Sequence, residues 1–212
     1  MITLLFGYIT YYILATIGIS AGYHRYFTHR SFKASPFVEH VMLISGLICG
    51  GRSALTWAAV HRMHHAYSDT PKDPHSPKYV GTWNVIFNRW HISRIPRRFT
   101  LDLIKNPRVV FYHRYGKYLH AIYAIALTAI GINFFIIFAA TPFILAWFGF
   151  GFLNWITHRN GKPVDVPLAN VIAPGEGWHK VHHDHPNYSS LNKYDIAGWA
   201  IERFFIKTKS SS

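Results

Sequence analysis

The chain has 212 residues, half of them apolar and 17% aromatic, which excludes a disordered or low-complexity tail and fits one ordinary domain. Twenty-two Lys and Arg against nine Asp and Glu give a net charge of +13, and the single cysteine, Cys49, excludes both an internal disulfide framework and a cysteine-built zinc or iron–sulfur site. The lone thiol fits a reducing, cytosol-facing environment, and fifteen histidines are far more than packing alone calls for.

Residues 2–22 contain no charged side chain. About 20 apolar helical residues cross the roughly 30 Å of bilayer hydrocarbon, so this stretch supplies one span. It has no basic leader and no small-residue cleavage pattern, and so reads as a retained span. His24 and His29 follow in HRYFTH. Five positions correspond to about 140° on an ideal α-helix, which suits a place where a helix ends and the chain turns. Residues 37–57 have an apolar run of only about ten residues, beside Glu39, His40 and Arg52, and predict an interfacial or re-entrant helix. In HRMHH, spacings of three and four put His61, His64 and His65 on one side of a helix.

A second charge-free zone covers residues 118–158. It is long enough for two spans, 119–138 and 141–158, with Ala139-Ala140-Thr141-Pro142 as the turn between them. Asn154 lies four residues before His158 and shares its face. His179, His182 and His183 in HKVHH repeat the earlier pattern. All charged residues fall between Arg25 and Lys117 or from Arg159 onward. By the positive-inside rule both basic segments, 23–118 and 159–212, face the cytoplasm. Contact with anionic lipid headgroups then accounts for the +13 without nucleic acid, for which no module motif is present. The expected fold is an all-α integral membrane bundle forming a single domain over 1–212. It has three spans, an interfacial helix and a cytosolic histidine-rich helical cap.

Nine histidines therefore sit where charge-free zones meet basic segments, while His40, His75, His91, His113, His120 and His185 read as ordinary packed side chains. Gathering so many neutral imidazoles without a metal would leave ring nitrogens unpaired, and protonating them would set like charges together. Nine imidazoles suit two ions. Ligand softness alone does not choose among Zn, Cu, Fe and Ni. The zinc-protease HExxH helix is absent, and iron suits dioxygen activation against an apolar substrate.

HRYFTHRSF, HRMHHAYSDTPKDPHSP and GEGWHKVHH resemble the three histidine boxes of the membrane fatty-acyl desaturases, most closely the delta-9 acyl-CoA or acyl-lipid type. The likeness extends to Gly22 before the first box and to NWITH at the end of the last span. It implies a di-iron centre held by His24, His29, His61, His64, His65, His158, His179, His182 and His183, with Asn154 reaching one iron through water. It also implies a reaction in which dioxygen and two electrons convert adjacent methylenes of a fatty-acyl substrate into a cis double bond. The electrons come from a b-type cytochrome or a ferredoxin, and the acyl chain lies in a bent apolar tunnel, for which Trp57, Trp147 and Trp155 are candidate lining. Ring nitrogens facing away from the irons need acceptors. Asp69, Asp73, Glu176, Asp184 and Asp195 are the candidates by position.

Two features depart from the family pattern. Members typically carry another span before the one that ends in the first box, whereas this chain begins with that span; three spans put its N-terminus outside and its C-terminus inside. The stretch between His158 and His179 is short and holds Pro163, Pro167 and Pro174, which is expected to alter the tunnel's cover. A histidine-box fatty-acid hydroxylase and a non-catalytic membrane metal-binding protein are the alternatives. Transporters place ionisable ligands midway along their spans, which argues against the latter.

Overall fold

A computed structural model describes residues 2–92 and 94–207; Met1, Ser93 and the part of the 159–212 segment after Lys207 lie outside the described residues. The first long helix, α1 (Ile2–Thr28), is long and apolar enough to cross a membrane. It extends beyond the predicted 2–22, and its second half, Ala15–Thr28, is π-helical. The Thr28 hydroxyl donates to the Tyr23 carbonyl at 2.7 Å and the His29 amide to that of His24 at 3.2 Å. With i→i+5 bonding, residues five apart stack on one face. His24 and His29 thereby share a face, which an ideal α-helix does not allow; His29 caps the end.

After a short strand, β1 (Phe32–Lys33), Ser35 caps α2 (Pro36–Ile48), with Pro36 in the first turn where its missing N–H costs nothing. Helix α2 runs back antiparallel to α1: Tyr26 donates to Glu39 at 2.6 Å, Gly22 faces Met42 and Gly18 faces Gly46. The predicted 37–57 helix is in fact two helices. Gly50 (φ 70°) and Arg52 (φ 59°) adopt the left-handed conformation and reverse the chain. Ser53 then caps α3 (Ala54–Tyr67), which climbs back toward the end of α1 with Trp57 against Tyr23.

Short helices α4 (Pro77–Val80) and α5 (Thr82–Ile86) and two single turns lead to α6 (Pro107–Ile130), capped by Asn106. Arg62 ties this connection to the site. It donates to both Asp102 oxygens at 2.7 and 2.9 Å and to the Phe27 and Phe99 carbonyls at 2.7 and 3.1 Å. The hairpin turns at Gly131, in extended backbone, rather than at 139–142. From there α7 (Ile132–His158) runs unbroken and is the second helix long and apolar enough to cross a membrane. Proline in a helix removes one N–H and crowds the carbonyl four residues back. Here the helix widens to a π-turn over Ile136–Ala140 just before Pro142, and Tyr123 of α6 donates to the released Phe138 carbonyl at 3.0 Å. A proline that reads as a turn in sequence is absorbed by a neighbouring helix.

The chain closes with a turn at Pro167–Val171, α8 (His179–Asp184), α9 (Ile196–Phe204) and β2 (Ile206–Lys207), which pairs antiparallel with β1. Tyr8 and Tyr11 of α1 donate to the carbonyls of Val171 and Ile172, fastening this last segment across α1. The main core, including Tyr11, Ile19, Tyr23, Leu43 and Ile201, lies directly beneath the histidines.

Candidate metal centre

Four elements deliver the nine histidines to one place, where they sort into two groups. The π-turn of α1 supplies His24 and, at its end, His29; α3 supplies His61 and His65; α8 supplies His182. One ring nitrogen of each of these five lies within 4.8 Å of those of the other four. His64 of α3, His158 at the end of α7, and His179 and His183 of α8 form a second group by the same measure. The division follows helical geometry: on α3 and on α8 the i,i+4 pair serves one group and the remaining histidine serves the other.

Two imidazoles bound to one ion at about 2.0–2.1 Å have their nitrogens roughly 2.9 Å apart at a right angle and roughly 3.4 Å apart at the tetrahedral angle. In the first group His24 and His65 place Nε2 at 2.9 and 2.8 Å from His182 Nε2, and His61 at 3.4 Å. In the second, His158 and His183 lie 2.9 and 3.2 Å from His179, and His64 lies 3.2 Å from His183. One proton per pair cannot satisfy so many converging Nε2 atoms, and His29 Nε2 is buried without a partner. The donor set fits two metal ions.

Burial, and then the neighbouring imidazoles, push His29, His61, His64, His179 and His182 well below the usual histidine range. His65 falls to about 3 and His183 to about 2 for the same reasons. These seven rings are held in the neutral form, the form that binds metals.

Three carboxylates face the opposite ring nitrogens. His158 Nδ1 lies 2.8 Å from Asp69 Oδ2, His64 Nδ1 3.0 Å from both Asp73 oxygens, and His24 Nδ1 2.7 Å from Glu176 Oε2. Such contacts fix the tautomer that leaves Nε2 free. Asp69 adopts the left-handed conformation (φ 57°) just past α3, and its amide donates to Asp73 at 2.8 Å. Burial raises Asp73 to about 6, while hydrogen bonds from His158 and Ser76 outweigh burial at Asp69 and bring it below its ordinary value.

A cavity of about 130 Å³ opens beneath the two groups between α1, α3 and α7, with Ile19, Trp57, Val60, Trp147 and Phe150 among its apolar walls and His61 and His179 at its head. Asn154 also lines it, one turn below His158.

Residues 2–197 match the family model for fatty acid desaturase. The chain belongs to the fatty acid desaturase family. It is 28% identical over 207 residues to a sn-1 stearoyl-lipid 9-desaturase of Anabaena variabilis, covering 91% of this chain and 74% of that protein. It is 32% identical over 207 residues to an acyl-CoA Delta(11) desaturase of Trichoplusia ni, covering 87% and 59%. It is 27% identical over 222 residues to a delta-9 acyl-lipid desaturase of Arabidopsis thaliana, covering 92% and 69%.

Not every predicted residue of this desaturase chain lies at the centre. Trp155 packs on Phe152 and is not among the cavity's lining. Asp184 faces solvent, paired with Lys180 at 2.5 Å. Asp195 is fully buried but meets Arg25, at 2.8 Å, and no histidine. Two residues escaped the sequence reading. His75, which in sequence reads as an ordinary packed side chain, stacks on His64 at 4.3 Å, lines the cavity and donates its amide to Asp73 at 3.1 Å. Its place in DPHSP, right after the second box, was the available signal. Arg25, only 1% exposed, has no sequence signal beyond its adjacency to His24.

Proposed function

We propose that the chain introduces a cis double bond into a saturated fatty-acyl chain, as an acyl-lipid or acyl-CoA desaturase of delta-9 type, at a di-iron centre held by the nine histidines. The observation that carries this reading is the convergence of two histidine groups above one apolar cavity. When bound, two irons would supply the oxidising power to draw one hydrogen from each of two adjacent methylenes, those two hydrogens together with two electrons and two protons reducing dioxygen to two waters. The protein's own tasks are distinct. Asp69, Asp73 and Glu176 hold His158, His64 and His24 in the ligating tautomer. Asn154, which lines the cavity, is assigned a water-mediated contact to one iron. Trp57, Trp147 and Phe150 exclude bulk water and hold one stretch of the acyl chain beneath His61 and His179.

Exposed isoleucines along α1, α6 and α7, among them Ile2, Ile122, Ile125, Ile132 and Ile144, support solvation by lipid. We place α1, α6 and α7 as three spans of a single domain, with α2 at the interface and the histidine-rich cap at the cytoplasmic face, where the basic segments lie. There a b-type cytochrome or a ferredoxin delivers electrons. Expression in a host lacking unsaturated lipids, with double-bond positions read by mass spectrometry, tests the reading. A monounsaturated product is expected. A hydroxylated product identifies the hydroxylase alternative, and unmodified acyl chains on an iron-loaded protein would overturn the enzymatic reading.

A further inference from the structure

Arg25 carries a full charge in the interior, and its partners come from separate stretches of chain. Its Nη2 donates to Asp195 Oδ2 at 2.8 Å and to the Gly175 carbonyl at 2.9 Å, and its Nη1 donates to the Ser20 hydroxyl at 2.5 Å. That hydroxyl in turn donates to Glu176 Oε1 at 2.5 Å, and Arg25 Nη1 itself lies 3.6 Å from the same oxygen. The other Glu176 oxygen faces His24 Nδ1 at 2.7 Å. Asp195 is anchored independently: as the cap of α9 it accepts the Gly198 amide at 2.9 Å and the Leu191 amide at 3.0 Å. The result is a series of hydrogen bonds from the start of α9 through Arg25 and Ser20 to Glu176, whose other oxygen makes a close contact with one ligand of the first histidine group. Among the described residues no such series backs the second group, whose carboxylates, Asp69 and Asp73, are held by the loop after α3.

A buried carboxylate needs a cation or several donors, and a carboxylate that orients a ligating imidazole must be fixed itself. We infer that Arg25 is a positioning residue for the first metal position, with the C-terminal helix α9 as its anchor: it holds Glu176 at the angle that orients His24. Sequence distance is then part of the design, since the first box is completed only when the last helix docks. This inference rests on the proposed two-metal reading.

Anaerobic Fe(II) titration of the purified full chain against a competing chelator separates the two positions when one group is disabled. With the second group disabled by His64→Ala and His183→Ala, Arg25→Met is expected to lower Fe(II) affinity roughly 10–100-fold. Ser20→Ala should lower it by a smaller factor, and Arg25→Lys should recover part of the loss. With the first group disabled by His61→Ala and His182→Ala, none of the three should change affinity. Equal weakening in both backgrounds reduces Arg25 to general packing and overturns the inference, as does unchanged affinity in the first background. Should Arg25→Met fail to fold, Ser20→Ala leaves the Arg25–Asp195 pair in place and decides the same comparison. An unmutated chain that takes up no iron would instead sink the proposed function.

Discussion

His158 Nδ1 donates to Asp69 Oδ2 at 2.8 Å, joining the last turn of a 27-residue apolar helix to a loop residue 89 positions earlier. Asp69 reaches it from a left-handed conformation (φ 57°) at the end of α3, where glycine or asparagine is usual. Asp69→Asn preserves the backbone and weakens the acceptor, whereas Asp69→Ala removes it. Metal analysis should find the second position weakened about 10–100-fold in Asp69→Ala and less in Asp69→Asn.

His182 belongs to the first group and His64 to the second. Alanine at either is expected to abolish unsaturated product and lower iron content, because each position then loses one of its ligands. Full activity in both variants would reject the ligand assignment.

Helices α1 and α2 cross closely: a Cβ on Gly18 would lie 2.1 Å from the Gly46 backbone nitrogen. Backbone cannot yield as a side chain can, so Gly18→Ala should destabilise by about 1–3 kcal/mol or more. Gly116→Ala is the control. Its new methyl meets only the flexible tip of Leu47 at 3.1 Å, and the exchange favours helix by about 1 kcal/mol. Thermal melts of the two variants should therefore shift in opposite directions.

Glu39 accepts from Tyr26 at 2.6 Å, Asn106 at 3.0 Å and Arg108 at 2.5 Å, linking α1, α2 and α6. Burial pushes its carboxyl up, but the hydrogen bonds from Arg108, Tyr26 and Asn106 outweigh that and bring it below its ordinary value. A carboxylate depressed on folding stabilises fully above its unfolded value of about 4.3 and loses that contribution as pH falls through the folded value. Glu39→Gln should accordingly melt below the unmutated chain at pH 7, by about 2–4 °C per kcal/mol lost. The gap should narrow as the pH falls below the unfolded value; a gap independent of pH would contradict the assignment.

Trp147 walls the cavity, with Arg52 over its ring at 5.7 Å and Asn88 donating to its carbonyl at 2.6 Å. Trp147→Ala enlarges the cavity and frees the acyl chain to slide. Mass spectrometry should find one double-bond position replaced by several, with iron content unchanged.

The sequence by itself determined the nine histidines, the two apolar segments and the boundary between apolar and basic stretches, because charge exclusion and i,i+3/i+4 spacing are local properties read directly from residue order. It also placed Asp69, Asp73 and Glu176 near the boxes. The spacing of His24 and His29 placed them where a helix ends and the chain turns, as they are, while the π-winding of Ala15–Thr28 lets them share a face. The sequence misread a feature that depends on neighbours. Pro142 stays inside a helix only because Tyr123 satisfies the carbonyl it releases. Only the tertiary structure decided which histidine joins which group, which acids reach a ring, and that Arg25 lies buried between Asp195 and Glu176. Each of these is a contact between chain segments far apart in sequence, and no local spacing rule encodes such a contact.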